Sequence, residues 1–267
     1  MNFFETGSKS VDHATPGQNL NHPEETSSWS DRVYLVLVCL FTTLLVLTNI
    51  VGVKLFELTL PFEVFGAAVV TLPTGLVTYP LTFLVTDVVS EIYGQRRADV
   101  MVWIGFAMSL VMLGIVQITI AIEPATFWVA ADGLGLEYFE SSKGMQDGWR
   151  AVFGLGPWLV TGSMCAYLVA QLCDNRLFHF WRRLTNGKHL WLRNNGSTIV
   201  SQLFDTLIVN SFLFYGAFGW TFTRGLKVMV GVYLVKVCIA LIDTPLCYLA
   251  IAGVRRFLNA KASKAAA

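Results

Sequence analysis

Six long apolar runs are the feature that most limits what this chain can fold into. Each run approaches or exceeds the roughly 20 residues that cross a hydrocarbon layer as a helix. The runs cover residues 33–53, 64–92, 100–122, 151–172, 197–218 and 228–254. A soluble chain would interrupt its apolar residues every few positions. The pattern therefore predicts an all-α, polytopic membrane protein with six transmembrane helices, in contact with the lipid bilayer.

The remaining segments divide the chain into a membrane domain and two tails. Residues 1–31 are polar and show almost no apolar pattern, so we expect a disordered cytoplasmic tail there. Residues 32–256 form the predicted six-helix transmembrane domain, and residues 257–267 form a cytoplasmic C-terminal tail. The formal net charge is only +1, which argues against a nucleic-acid partner.

Loop charge predicts the orientation in the membrane. Basic residues follow the second, fourth and sixth runs, and by the positive-inside rule these loops are cytoplasmic. They are Arg96, Arg97, Arg176, Arg182, Arg183, Lys188, Arg193, Arg255, Arg256, Lys261 and Lys264. The loop at 123–150 is mostly acidic and belongs outside. Both termini are therefore predicted to lie in the cytoplasm.

Polar residues inside the runs are the candidate functional residues. Asp87 lies roughly 14 Å along a helix from the charged boundary at Arg96, near the middle of the hydrocarbon layer. A carboxylate at that depth costs at least about 2.5 kcal/mol unless it faces a polar interior, which favours a functional role. The predicted substrate-binding residues are Asn49, Lys54, Thr86, Asp87, Ser90, Glu91, Gln202, Asp205, Lys236 and Asp243.

Spacing indicates which of these residues act together. Asp87 and Glu91 are four apart and share one helix face, so one is expected to be protonated or to have a cation nearby. One lysine, Lys236, cannot neutralise Asp87, Asp205 and Asp243 together. Protons or a cationic or hydrogen-bond-donating ligand must therefore help. The alternatives are a structural ion pair at Lys236 and a Glu91 side chain that reaches outward to the interface.

Two further features suggest a transport protein. Asp87 and Asp205 occur in the second and fifth runs, as expected for an inverted repeat of three plus three helices. Pro73 and Pro80, predicted inside the second helix, and Pro245, in the sixth, each remove a helix hydrogen bond. The freed carbonyls are either ligand acceptors or ordinary kinks.

Enzyme chemistry has weak support in the sequence. Three membrane aspartates would suit an intramembrane aspartyl enzyme, but the YD and GxGD elements of such enzymes are absent. Neither an HExxH zinc signature nor a GxSxG nucleophile motif occurs. We therefore expect neither enzymatic activity nor a cofactor or metal ion.

Three segments carry a family resemblance. LTNIVGVKLF at 47–56, YPLTFLVTDVVSEIYG at 79–94 and SQLFDTLI at 201–208 resemble the queuosine precursor transporter family, as does the stretch at 236–245. The resemblance extends over about 33–256. It implies a six-helix inner-membrane importer of 7-cyano- and 7-aminomethyl-7-deazaguanine. The matching positions are Asn49, Lys54, Asp87, Glu91, Gln202, Asp205, Lys236 and Asp243.

The guanine-like edge of these solutes suits membrane carboxylates, because a ring N–H and an exocyclic amine can donate together to one carboxylate. A coupled proton is the expected common driving force for the neutral cyano and the cationic aminomethyl compound. One alternative is the substrate-capturing subunit of an ATP-driven vitamin uptake system, although the first run lacks the alanine ridge of such subunits. The sequence leaves a homodimer open.

Overall fold

The computed structural model describes residues 22–52, 54–64, 67–128, 141–154 and 157–266. Its secondary structure confirms the all-α class, with one added β-hairpin. The elements are α1 (His22–Val51), β1 (Leu55–Val64), β2 (Ala67–Pro73), α2 (Tyr79–Tyr93), α3 (Gln95–Ala121), α4 (Ser142–Phe153), α5 (Pro157–Leu184), α6 (Leu190–Asn210) and α7 (Phe222–Ala266). A short 3₁₀ turn at Thr74–Val77 precedes α2, and a π-helical segment at Ser211–Ala217 extends α6.

Five segments of the described chain are long and apolar enough to cross a membrane. They are Trp29–Val51, Thr74–Tyr93, Gln95–Ala121, Leu190–Gly216 and Phe222–Lys264. The predicted crossing at 151–172 is not among them. The corresponding helix α5 has 28 residues, which is long enough, but its buried Gln171, Asp174 and Asn175 make it more polar. A multi-pass membrane protein follows, whereas six spans and an inverted repeat stay predictions.

The second predicted span is shorter than expected because its first part is a hairpin. Strands β1 and β2 pair antiparallel, with Phe56 opposite Leu72 and Leu58 opposite Val70. The residues of β1 alternate between apolar and polar, a period-two pattern that favours a strand. Helix α2 starts only at Tyr79. Our expectation of a helix was therefore wrong over 67–77, since the apolar strand β2 pairs with β1 and the turn at Thr74–Val77 separates it from α2.

The prolines follow from the same correction. Pro73 ends β2, and Pro80 lies in the first turn of α2, where its missing N–H costs no helix hydrogen bond. We predicted that both prolines lie inside a helix, but neither Pro73 nor Pro80 interrupts a helix interior. Pro245 does lie inside α7.

Both predicted tails are helical where they are described. Residues 1–21 of the N-terminal tail lie outside the described residues, but α1 begins at His22. Its early part is attached to α2 and α3, because the Tyr93 hydroxyl donates to the Ser30 carbonyl at 3.0 Å and Arg97 pairs with Asp31 at 3.0 Å. At the other end, α7 continues through the predicted tail to Ala266.

Helix α2 is the buried centre of the bundle. Of the described spans, Thr74–Tyr93, which contains α2, is the most enclosed: 61% of the residues in its most apolar stretch are buried. On one side Val89 packs with Phe41 of α1 and Met101 of α3; on the other, Val88 packs against Cys247 of α7. Polar residues on α2 therefore face protein on several sides.

Candidate functional site

A cleft lies between α2, α6 and α7. Its polar lining comes from Tyr79 and Asp87 on α2, from Asn194, Thr198 and Gln202 on α6, and from Lys236 and Asp243 on α7. The cleft contains about 380 Å³ of empty space with its mouth included, but the space enclosed between its side chains is much smaller. That enclosed space has room for one or two water molecules. A larger ligand needs the cleft to widen.

Asp87 is the charged residue of α2 that lines the cleft. Its side chain is only 2% exposed, and its Oδ1 atom has no hydrogen-bond partner among the described residues. On its other side the carboxyl group lies within hydrogen-bonding range of Asp174 on α5. A buried carboxylate oxygen without a partner is costly, so this atom is available to a donor on a ligand.

Two neighbours of Asp87 face α5 and bind that helix. The Thr86 hydroxyl donates to carbonyls of its own helix and approaches Gln171 Oε1 at 3.3 Å. The Ser90 hydroxyl donates to Asn175 Oδ1 at 2.7 Å. The structure therefore places both predicted residues beside the cleft, in the α2–α5 interface.

An ion pair joins α6 and α7 at the cleft. Lys236 Nζ lies 2.5 Å from Asp205 Oδ2, and both side chains are 9% exposed. The same ammonium group stands 5.1 Å from the centre of the Tyr79 ring, a cation–π distance. This arrangement matches the structural ion pair considered as an alternative, although Lys236 also lines the cleft.

Two further predicted residues line the cleft and carry oxygens that pair with no described side chain. Gln202 is buried, and its Oε1 atom accepts no hydrogen bond within the described part of the chain. Asp243 is half-buried and forms no ion pair with a described residue. Both side chains are therefore free to meet polar groups of a ligand.

Glu91 lies outside the cleft, in a cluster of arginines. Its carboxylate pairs with Arg193 at 2.8 Å, with Arg255 at 2.5 Å and with Arg182 at 4.0 Å. Glu91, Arg193 and Arg255 line a second, basic cavity. Glu91 is 9% exposed and pairs with arginines of the segments predicted to be cytoplasmic, so the interfacial alternative for Glu91 stays a prediction.

Asn49 and Lys54 also lie away from the cleft. The Asn49 amide donates to Ser109 Oγ on α3 at 3.3 Å. Lys54 is exposed, and its backbone carbonyl accepts from the Thr74 amide at 2.8 Å. Of the ten predicted residues, the structure brings Asp87, Gln202, Asp205, Lys236 and Asp243 together around the cleft.

Sequence reasoning missed several residues of this region. Asn194 and Thr198 were missed although they precede the predicted Gln202 at intervals of four, a polar stripe on one face of α6 that the sequence does display. Tyr79 and Asp174 gave weaker signals, because one precedes a proline and the other precedes the basic loop after the fourth run. No group of three or more His, Cys, Asp or Glu suited to a metal ion occurs within the described residues.

Comparison with known proteins supplies the family. Residues 73–250 match the family described as "Putative vitamin uptake transporter". The chain is also 34% identical over 192 residues to the "Probable queuosine precursor transporter" of Bacillus subtilis (strain 168), covering 70% of this chain and 74% of that protein. No solved structure matches the chain. The chain therefore belongs to this family of vitamin uptake transporters, and it is a multi-pass membrane transporter rather than an enzyme.

Proposed function

We propose that this transporter imports queuosine precursors, 7-cyano- and 7-aminomethyl-7-deazaguanine, across the inner membrane. The observation that carries the proposal is the cleft between α2, α6 and α7, where the buried Oδ1 of Asp87 and Oε1 of Gln202 lack partners among the described residues. Similarity to the Bacillus subtilis protein, named for queuosine precursors, supports the choice of solute.

The chemistry of the cleft suits a guanine-like ring. The ring N–H and the exocyclic amine donate to the carboxylate of Asp87, in the paired geometry that charge-assisted hydrogen bonds favour. Lys236, held by Asp205, donates to the ring carbonyl, and Gln202 and Asp243 accept further N–H groups. The rings of Tyr79 and Phe83, which also line the cleft, pack against the flat solute.

The other predicted residues have supporting roles in this proposal. Thr86 and Ser90 fix α2 against α5, and Asn49 fixes α1 against α3. Glu91 joins α2 to the arginines of the second cavity, and Lys54 lies at the end of the hairpin. Six spans with an inverted repeat, and both termini in the cytoplasm, complete the proposed arrangement.

Uptake of labelled 7-cyano-7-deazaguanine tests the proposal in cells that lack their own route for it. Cells making the wild-type protein accumulate the label, whereas Asp87→Asn and Asp205→Asn abolish accumulation. Asp147→Asn is the control, because Asp147 is exposed and contacts only Arg150 at 3.9 Å in the described structure. Accumulation no greater than in cells without the protein refutes the proposal. Uptake that requires a copurifying ATPase favours the ATP-driven alternative.

A further inference from the structure

The buried acids of the bundle differ in whether they have a counter-ion. Asp205 is paired with Lys236, and Glu91 with Arg193 and Arg255. Asp87 and Asp174 are more deeply buried, at 2% and 1% exposure, yet neither forms an ion pair with any described residue. Leaving a buried charge without a partner is strongly destabilising. These two carboxyl groups therefore need a positive charge that the described side chains do not supply.

Asp87 and Asp174 face each other across the contact between α2 and α5. Their carboxyl groups lie within hydrogen-bonding range, where two ionised carboxylates repel and a single shared proton forms a hydrogen bond. The Ser201 hydroxyl donates to Asp174 Oδ1 at 2.9 Å, which fixes its orientation. This arrangement favours a proton over a metal ion, because the described residues contain no group of three or more His, Cys, Asp or Glu side chains that could hold a metal.

The pair is also connected to the cleft. Asp87 lines the cleft directly. Asn194 lines it as well; this residue is 3% exposed, and its Oδ1 atom, which has no partner among the described residues, offers a second acceptor to a ligand. A ligand that donates N–H groups in the cleft therefore meets one member of the pair directly. The second member, Asp174, lies behind it and does not line the cleft.

The other charged groups near the pair do not replace the proton. Asp243 on α7 and Glu91 on α2 both add negative charge near Asp87. Lys236 is neutralised by Asp205, and Arg193 on α6 by Glu91. On α3 the nearest acid is Asp99, which accepts from the Asn175 amide at 2.5 Å.

We propose that Asp174 holds the coupling proton of this transporter, shared with Asp87 in the empty state. This inference rests on the proposed function. A proton from the outer water binds the pair; ligand N–H donors then stabilise the charge on Asp87 while the proton stays on Asp174. Loss of that proton to the cytoplasm restores two facing carboxylates, which weakens ligand binding and releases the solute inside.

Purified protein in lipid vesicles tests this with 7-cyano-7-deazaguanine, which is neutral, so that any charge entering with it belongs to the coupled ion. Vesicles with the wild-type protein accumulate the solute under an inward proton gradient, and accumulation stops when a protonophore collapses the gradient. Asp174→Asn mimics the protonated acid, since its amide can donate to Asp87 and still accept from Ser201. This variant loses gradient-driven accumulation but keeps exchange of labelled for unlabelled ligand. Asp99→Asn is the matched control and behaves as wild type.

Equilibrium binding in detergent gives a readout that does not need transport. Wild-type affinity falls about tenfold per pH unit above the titration of the pair, because one proton is linked to binding. In that pH range the empty pair has lost its shared proton, so a weakly buffered solution loses one proton for each ligand bound. Affinity of Asp174→Asn is independent of pH. Ligand binding by the wild type without proton uptake in that pH range overturns the inference, even if Asp174→Asn fails to fold. Accumulation driven by sodium alone, or by a proton gradient in Asp174→Asn, also overturns it. Absence of any ligand binding refutes the proposed function instead.

Discussion

The cluster around Glu91 allows a quantitative test of how the helices are held together. One carboxylate on α2 meets Arg182 of α5, Arg193 of α6 and Arg255 of α7. The three contacts differ in burial. Arg193 is 2% exposed and lies 2.8 Å from the carboxylate, whereas Arg255 is 55% exposed. Their contributions to stability should differ accordingly.

Glu91→Gln removes the charge that neutralises the buried Arg193. Breaking a buried pair by removing one partner costs about 3–5 kcal/mol, because the other charge stays buried. Arg255→Gln removes only a solvent-screened contact and should cost about 0–1 kcal/mol. Because Glu91 lies outside the cleft, Glu91→Gln should leave ligand affinity close to that of the wild type.

Equilibrium unfolding in mixed micelles measures both free energies, and ligand titration of the folded variants measures affinity. Arg255→Gln serves as the matched control for a change at the same carboxylate. The reasoning is refuted if Glu91→Gln unfolds with the wild-type free energy, or if the two variants lose equal stability. A large loss of ligand affinity in Glu91→Gln would instead return Glu91 to the binding site.

Two other substitutions test the packing of the bundle. Lys236→Met should lower the free energy of unfolding by about 3–5 kcal/mol, because it leaves the buried Asp205 carboxylate without its partner. The double variant Lys236→Met/Asp205→Asn should lose less stability than the two single variants added together. Additive losses in this double-mutant cycle would contradict the reasoning. Gly105→Ala should cost about 1–3 kcal/mol, because the added Cβ would lie 2.6 Å from the Phe41 ring, whereas the matched control Gly114→Ala meets nothing within 4 Å. Thermal unfolding in detergent compares the two alanine variants, and equal melting temperatures would show that the Gly105 contact relaxes freely.

The acids at the centre of the bundle were predictable from the sequence. A carboxylate deep in an apolar run is rare and costly, so Asp87, Asp205 and Asp243 stand out without any structure. The structure places Asp87 and Asp243 on one cleft and pairs Asp205 with Lys236 beside it. Their position within long apolar runs was enough to identify these aspartates, because the free-energy cost of burying a carboxylate can be judged without knowing which residues surround it.

The partners of those residues were not predictable. Asp174 precedes a basic loop and resembled a boundary residue, although it is 1% exposed in the structure. Glu91 lies one turn from Asp87, and we therefore grouped the two residues. In the structure the Glu91 carboxylate instead pairs with three arginines that are distant in sequence. Spacing along one helix shows which face residues share, but only tertiary packing decides what that face meets.

The hairpin shows a limit of counting apolar residues. Residues 64–92 satisfied the length criterion for a span, yet Ala67–Pro73 pairs with Leu55–Val64 as a strand. The alternation in β1 was visible in the sequence, but the apolar β2 joined without interruption to the apolar start of α2. Burial of Val70 and Leu72 against Val232 and Val235 of α7 stabilises the strand conformation there.

Binding of labelled 7-cyano-7-deazaguanine to purified wild-type and Asp87→Asn protein tests the central claim most directly. The account predicts that the wild type binds and that the variant, which loses a charge-assisted hydrogen bond, binds at least about tenfold more weakly. Equal affinities for the two proteins, with both correctly folded, would contradict the assignment of the cleft as the ligand site.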